Sequence, residues 1–266
     1  MAIRTLPHLS TLLRDACRLA WSRAGTLMVL VTVPFVPLLL FSPFIVQVLL
    51  AVNQGATDLT AIVVYVSPWT AVLALLGLLL GFVVSIVSAA GIFLTLGGTG
   101  DPGPRAALRL GMERWITFAW TWLLAVAAVA LALLPGVLLF WWARAFFLFA
   151  LDGAFGLSFV ILILSLLLVF PAFLVATWYA LSLIPAARGD AWGSDALRIS
   201  HRLVEGVTGQ VFGLLFAWLL FEMLFSILLN MFFPGLPLFT GFAYYYVTTI
   251  IGSAYLVTLY HALRRA

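Results

Sequence analysis

The sequence contains one cysteine, Cys17, and no lysine at all. A single thiol excludes an internal disulfide and equally a cluster of thiolates around a metal. Charge of either sign is scarce: 8% of the 266 residues are charged, against about 25% in soluble domains. No H-E-x-x-H spacing is present for a zinc site. What fills the chain instead is apolar, with 65% hydrophobic residues and a mean hydropathy of +1.22. A helix that crosses a bilayer needs about 20 such residues in a row. Six segments reach that length, at about 26–51, 69–97, 115–142, 155–184, 209–233 and 238–262. They are too continuous for the alternating pattern of a transmembrane barrel. The expected fold is therefore an all-α integral membrane protein of six transmembrane helices, a single membrane domain over 1–266. The first run lacks an A-x-A cleavage site and is expected to stay as an anchor rather than leave as a signal peptide.

The thirteen basic residues are all arginine, and their placement carries the topology. Twelve fall before the first span, between spans two and three, between spans four and five, or at the chain's end. Only Arg144 falls on the other side. That bias places both termini in the cytoplasm of a multi-pass cell-membrane protein. Arg14, Arg18, Arg109, Arg198 and Arg202 are the residues expected to face lipid headgroups. Nothing in the pattern points to nucleic acid.

The basic segments also repeat. DACRLAWSR begins at Asp15, AALRLGMER at Ala106 and DALRISHRL at Asp195. Ala16, Ala107 and Ala196 align, as do Arg18, Arg109 and Arg198, and Leu19, Leu110 and Ile199. Each segment has helical amphipathic spacing. Pro104 suits a first helical turn, Ser194 an N-cap and Gly206 a stop. The expectation is three parallel repeats, 1–98, 99–187 and 188–266, each an amphipathic interfacial helix followed by a transmembrane hairpin. Such copies are related by an axis along the membrane normal.

The stretch DAWGSDALRISHRLVEGVTGQVFGLLFAW resembles the recurrent A-L-x-x-S-x-x-L-x-x-G segment of glycerophosphoryl diester phosphodiesterase membrane-domain-like proteins. Its matching positions are Ala196, Leu197, Ser200, Leu203 and Gly206. The tail YLVTLYHALRRA resembles their closing L-Y-x-x-L-R element through Leu259, Tyr260, Leu263 and Arg264. The resemblance implies a membrane domain without the catalytic barrel that gives the family its name. His8, His201 and His261 stand isolated, with no paired carboxylates beside them.

Glu222 is the acid that interrupts the fifth span, in LLFAWLLFEMLFSILLN. A charge at the bilayer centre costs about 2.5–3.5 kcal/mol on insertion scales. Desolvation disfavours charge, so a neutral, hydrogen-bonding acid is expected there. Glu222, Ser226 and Asn230 lie four apart on one helical stripe that Trp218 extends, and the stripe should face the bundle interior. Across the FPGLP turn, Thr248 and Thr249 come to the same depth as candidate hydroxyl partners. The glycines of GLLLG, Gly77 and Gly81, with Ser85, form a small-residue row that lets helices approach closely. That row serves packing inside the chain or between copies. Pro34, Pro37 and Pro171 should interrupt helical bonding.

Neither a serine–histidine pair nor a carboxylate dyad can be assembled from these residues, and no catalytic residue, metal or cofactor is expected. The expected function is a non-enzymatic scaffold, lipid-interacting protein or accessory subunit. Its partners would be membrane lipids, and a membrane-protein partner or second copy. The alternative is a small permease or proton-linked transporter using Glu222.

Overall fold

The computed structural model describes residues 6–55, 66–149 and 155–265. Helices α1 (Leu9–Ser22), α2 (Ala24–Thr32) and α3 (Phe35–Leu38) come first, then a 3-10 turn (Leu39–Phe41) and α4 (Ser42–Asn53). They are followed by α5 (Pro68–Gly97), α6 (Pro104–Phe149), α7 (Phe155–Tyr179) and α8 (Leu183–Arg188). Helices α9 (Ser194–Val204), α10 (Thr208–Phe232) and α11 (Pro237–Arg265) complete the chain. No strand occurs among the described residues. Six helical runs are long and apolar enough to cross a membrane: Ala24–Asn53, Pro68–Gly97, Pro104–Arg144, Phe159–Arg188, Thr208–Phe232 and Phe239–Arg265. The fold is thus all-α, with the six spans read from hydropathy.

The spans pair into three antiparallel hairpins, each closed at a small residue. In the first, a Cβ on Gly77 would lie 3.0 Å from the Pro37 carbonyl, and one on Gly81 3.1 Å from Leu38. In the second, Gly136 of α6 sits on the Ser165 carbonyl of α7 at 3.0 Å by the same measure. In the third, Gly252 of α11 lies under the Trp218 ring of α10. These seams allow backbone approach where lipid supplies no hydrophobic drive between helices.

The hairpins share a core at one end only. That core gathers Leu12, Leu27, Leu30, Leu96, Phe118, Leu181, Ile184, Val211, Tyr255 and Leu259, among others. All of these lie near the arginine-bearing loops, at what we call the basic end. Helix α1 and the end of α11 are both there, packed on one another. Towards the far end the large side chains turn outward, as with Leu79, Leu131, Leu166 and Phe232. Tryptophans stand exposed near the span ends, with Trp21, Trp69, Trp141 and Trp192 all more than half accessible, where an aromatic belt belongs.

Several local expectations change on folding. The amphipathic segment before the third span is no separate helix: α6 runs unbroken from Pro104 through Phe149. Helices α1 and α9 are separate, but Leu12, Ala16 and Ala20 of α1, and Ala196, Ser200 and Val204 of α9, are buried within the protein. Their inner faces therefore cover the bundle instead of lying down on lipid. Ser194 is the first residue of α9 and makes no capping bond; Gly193 precedes it as N-cap. The Gly193 amide is held by the Thr121 hydroxyl at 2.8 Å, which fixes the entry to α9 from outside the helix. Pro34 and Pro37 do divide the first span, separating α2, α3 and the 3-10 turn. Pro171, by contrast, lies inside a continuous α7. A proline removes one donor, and neighbouring turns in a packed membrane helix can absorb that loss.

Candidate functional site

The inner row of α10 carries Val211, Trp218 and Glu222 in succession. Trp218 is 9% exposed and lies parallel to Tyr255 of α11, ring centroids 5.4 Å apart at 19°. Two turns on, Phe225 stacks on Tyr244 at 6.4 Å. That register sets Glu222 level with Thr248, the depth anticipated from the turn. The hydrogen bonds differ from expectation. The carboxyl receives the Trp218 indole N–H at 2.6 Å, one turn back on its own helix. Thr248 donates to the Tyr244 carbonyl at 2.8 Å. A hydroxyl one turn from a backbone carbonyl satisfies itself locally, so it has no need to cross to the acid. Ser226 is half-buried, but Asn230 is exposed and its amide donates to the Ser226 carbonyl at 2.8 Å. The stripe thus faces inward at Trp218 and leaves the interior by Asn230.

At the basic end, Arg14, Arg18, Arg109, Arg198 and Arg202 are all exposed. Arg198 meets Asp195 at 3.0 Å, Arg109 meets Glu113 at 3.5 Å and Arg14 meets Asp15 at 3.8 Å. Exposed pairs of this kind contribute about 0–1 kcal/mol. They leave the ring free to exchange partners. Beneath it the aligned Ala16, Ala107 and Ala196 are each 0% exposed. One turn later Ala20, Gly111 and Ser200 are buried as well. Two other arginines tie loops together. Arg23 donates to the Gly98 carbonyl at 2.9 Å, and the Arg114 guanidinium lies against Gly189, a residue at φ 76°. Sequence position marked these two for topology only; their loop contacts depend on residues about 75 positions away and left no local signal.

A third feature was not anticipated. Where the prolines break the first span, α3, the middle of α5 and the start of α11 line an open, groove-like cavity of about 570 Å³. Its wall includes Pro34, Phe35, Gly81, Phe82, Gly241 and Tyr245. Ser85 also lines it, with its hydroxyl turned to the Gly81 carbonyl at 2.7 Å. Thr32 and Tyr246 share a hydrogen bond of 2.7 Å beside it, and Phe35 meets Phe242 and Tyr245 ring to ring at 5.2 and 5.3 Å. The row Gly77, Gly81, Ser85 therefore lies against this chain's own first span.

Among the described residues no three His, Cys, Asp or Glu side chains gather as metal ligands. His201 is set edge-on to Trp178 at 5.1 Å, with Ser200 beside it donating to the Trp178 carbonyl. Comparison with protein-family models, with curated proteins and with solved structures finds no match to this chain.

Proposed function

We propose that the protein is a non-enzymatic, lipid-interacting multi-pass membrane protein that serves as a scaffold or accessory subunit. We place it among the membrane-domain-like relatives of glycerophosphoryl diester phosphodiesterases, with both termini cytoplasmic and three parallel repeats. The observation that carries this reading is the division of the bundle: a dense core under a ring of exposed arginines, and beyond it helices whose large apolar side chains face outward. Such a body meets headgroups with one end and hydrocarbon with the other. Burial of Ala16, Ala107 and Ala196 at equivalent helical positions supports the repeat. Arginines near an anionic surface contribute about 1 kcal/mol each, so the exposed ring should respond to lipid charge.

The test is hydrogen exchange in nanodiscs of phosphatidylcholine with and without phosphatidylglycerol. Protection of α1 and α9 should rise with the anionic lipid and fall again in high salt. Equal protection in both lipids would count against headgroup contact. Transport through Glu222 is examined separately, by infrared spectroscopy of the reconstituted protein against Glu222→Gln. A carboxyl band that persists from acid to alkaline pH fits the Trp218-bonded acid of a structural seam. A band that titrates near neutrality would place the permease reading first.

A further inference from the structure

We infer that the cavity between α3, α5 and α11 is a site for one acyl chain of a membrane lipid, taken from the leaflet remote from the basic end. The occupant rests on the lipid-facing reading above, but at the opposite end of the bundle. Depth gives the first reason. Gly241 and Tyr245 lie in the first turns of α11, beyond the shared core, and Gly81 lies near the middle of α5. At that depth the surrounding solvent is hydrocarbon. The second reason is continuity: Phe82 and Phe242 belong to the wall and are also about half exposed, so the cavity opens sideways onto the lipid-facing surface.

A second helix is the other candidate occupant, and the small-residue seam it would use is already filled. Gly77 and Gly81 face the Pro37 carbonyl and Leu38 of the same chain at 3.0 and 3.1 Å from an added Cβ. The void is also braced. The Thr32–Tyr246 bond and the Phe35 ring contacts join the first span to the last beside it. The proline break cannot relax inward without losing them. Its volume of about 570 Å³ lies within the range of small-molecule sites, about 300–1,000 Å³. An empty apolar wall would forfeit dispersion contacts that a chain supplies.

Gly241 provides the test, because a Cβ added there meets nothing within 4 Å. Gly241→Leu should fill the groove from a position where the first added atom meets no neighbour. Gly213→Leu, on α10 and equally unobstructed, is the matched control. The probe is phosphatidylcholine carrying a mid-chain diazirine, in nanodiscs, with labelled residues mapped by mass spectrometry. Labelling should concentrate on Phe82 and Phe242. It should fall about tenfold in Gly241→Leu, the equivalent of about 1.4 kcal/mol, and stay unchanged in Gly213→Leu. Unaltered thermal unfolding of both variants secures the comparison. Labelling spread evenly over Leu75, Leu79 and other lipid-facing residues, unchanged by Gly241→Leu, would overturn the assignment. So would covalent dimers formed through a cysteine placed at Phe242. Either failure leaves the anionic-lipid response of α1 and α9 intact, and loss of that response leaves chain labelling intact.

Discussion

Gly111 is the position where the fold tolerates least. It sits where α6 crosses α5, and a Cβ there would run into the Val87 carbonyl oxygen and lie 3.1 Å from the Gly91 nitrogen. Both obstacles are helical backbone, so no rotamer change relieves them and the two helices must part. Overpacking costs about 1–3 kcal/mol, and two rigid walls put this site at the upper end, about 3 kcal/mol. Alanine recovers about 1 kcal/mol through its helix propensity over glycine. Gly111→Ala should therefore lose about 2 kcal/mol, roughly a 30-fold shift in the unfolding equilibrium. Gly213→Ala has open space and should gain about 0.5–1 kcal/mol from the same propensity. Unfolding by SDS in mixed micelles, followed by circular dichroism and tryptophan fluorescence, reads both. A Gly111→Ala protein as stable as the parent would refute the α5–α6 contact. It would also remove the reason why this turn holds only alanine, glycine or serine in the three aligned segments.

Two further outcomes are expected. Thr121→Val removes the hydroxyl that accepts from the buried Gly193 amide at 2.8 Å; leaving that donor unpaired should cost about 1–3 kcal/mol. The same assay reads it, and hydrogen exchange should show faster exchange at the start of α9; an unchanged midpoint would mean the amide has another partner. A double-mutant cycle of Thr32→Val and Tyr246→Phe should give a coupling of about 0.6 kcal/mol, and no more than about 1.7, the range of hydrogen bonds inside membranes. Zero coupling would mean the bond joining the first and last spans is not formed.

Span number and span limits were legible because they depend on local runs of apolar residues. Pro104 opens α6, and Gly206 follows the end of α9 at φ 84°. The breaks around α1 and α9 could be read from Ser22-Arg23-Ala24-Gly25 and Glu205-Gly206. The corresponding stretch of the middle segment, Glu113-Arg114-Trp115, has neither glycine nor proline, and α6 passes straight through it. Attention to that missing breaker would have predicted the long helix. The partner of Glu222 was harder. Trp218 stands on the correct stripe, yet the sequence offers hydroxyls on the facing helix as donors to a buried acid. The indole reached it first because an i, i+4 pair needs no tertiary register. Trp218 itself is held by stacking on Tyr255 and by the room that Gly252 leaves. The cavity had no sequence signal, since it arises from three segments separated by tens to more than a hundred residues.

Confinement of the shared core to one end also determines how the molecule meets membranes of different thickness. Mismatch between a protein and its bilayer is relieved by tilt or by local deformation, at fractions of a kcal/mol per Å. Here three hairpins are fastened together beside the arginines and joined by fewer large buried side chains farther out. The expected response to a thinner or thicker bilayer is a change in hairpin spread pivoting on the fastened end, limited between the first and last spans by the Thr32–Tyr246 bond and the Phe35 ring contacts. On that expectation, strain in the leaflet remote from the arginines would be taken up by the hairpins before it reached α1 and α9.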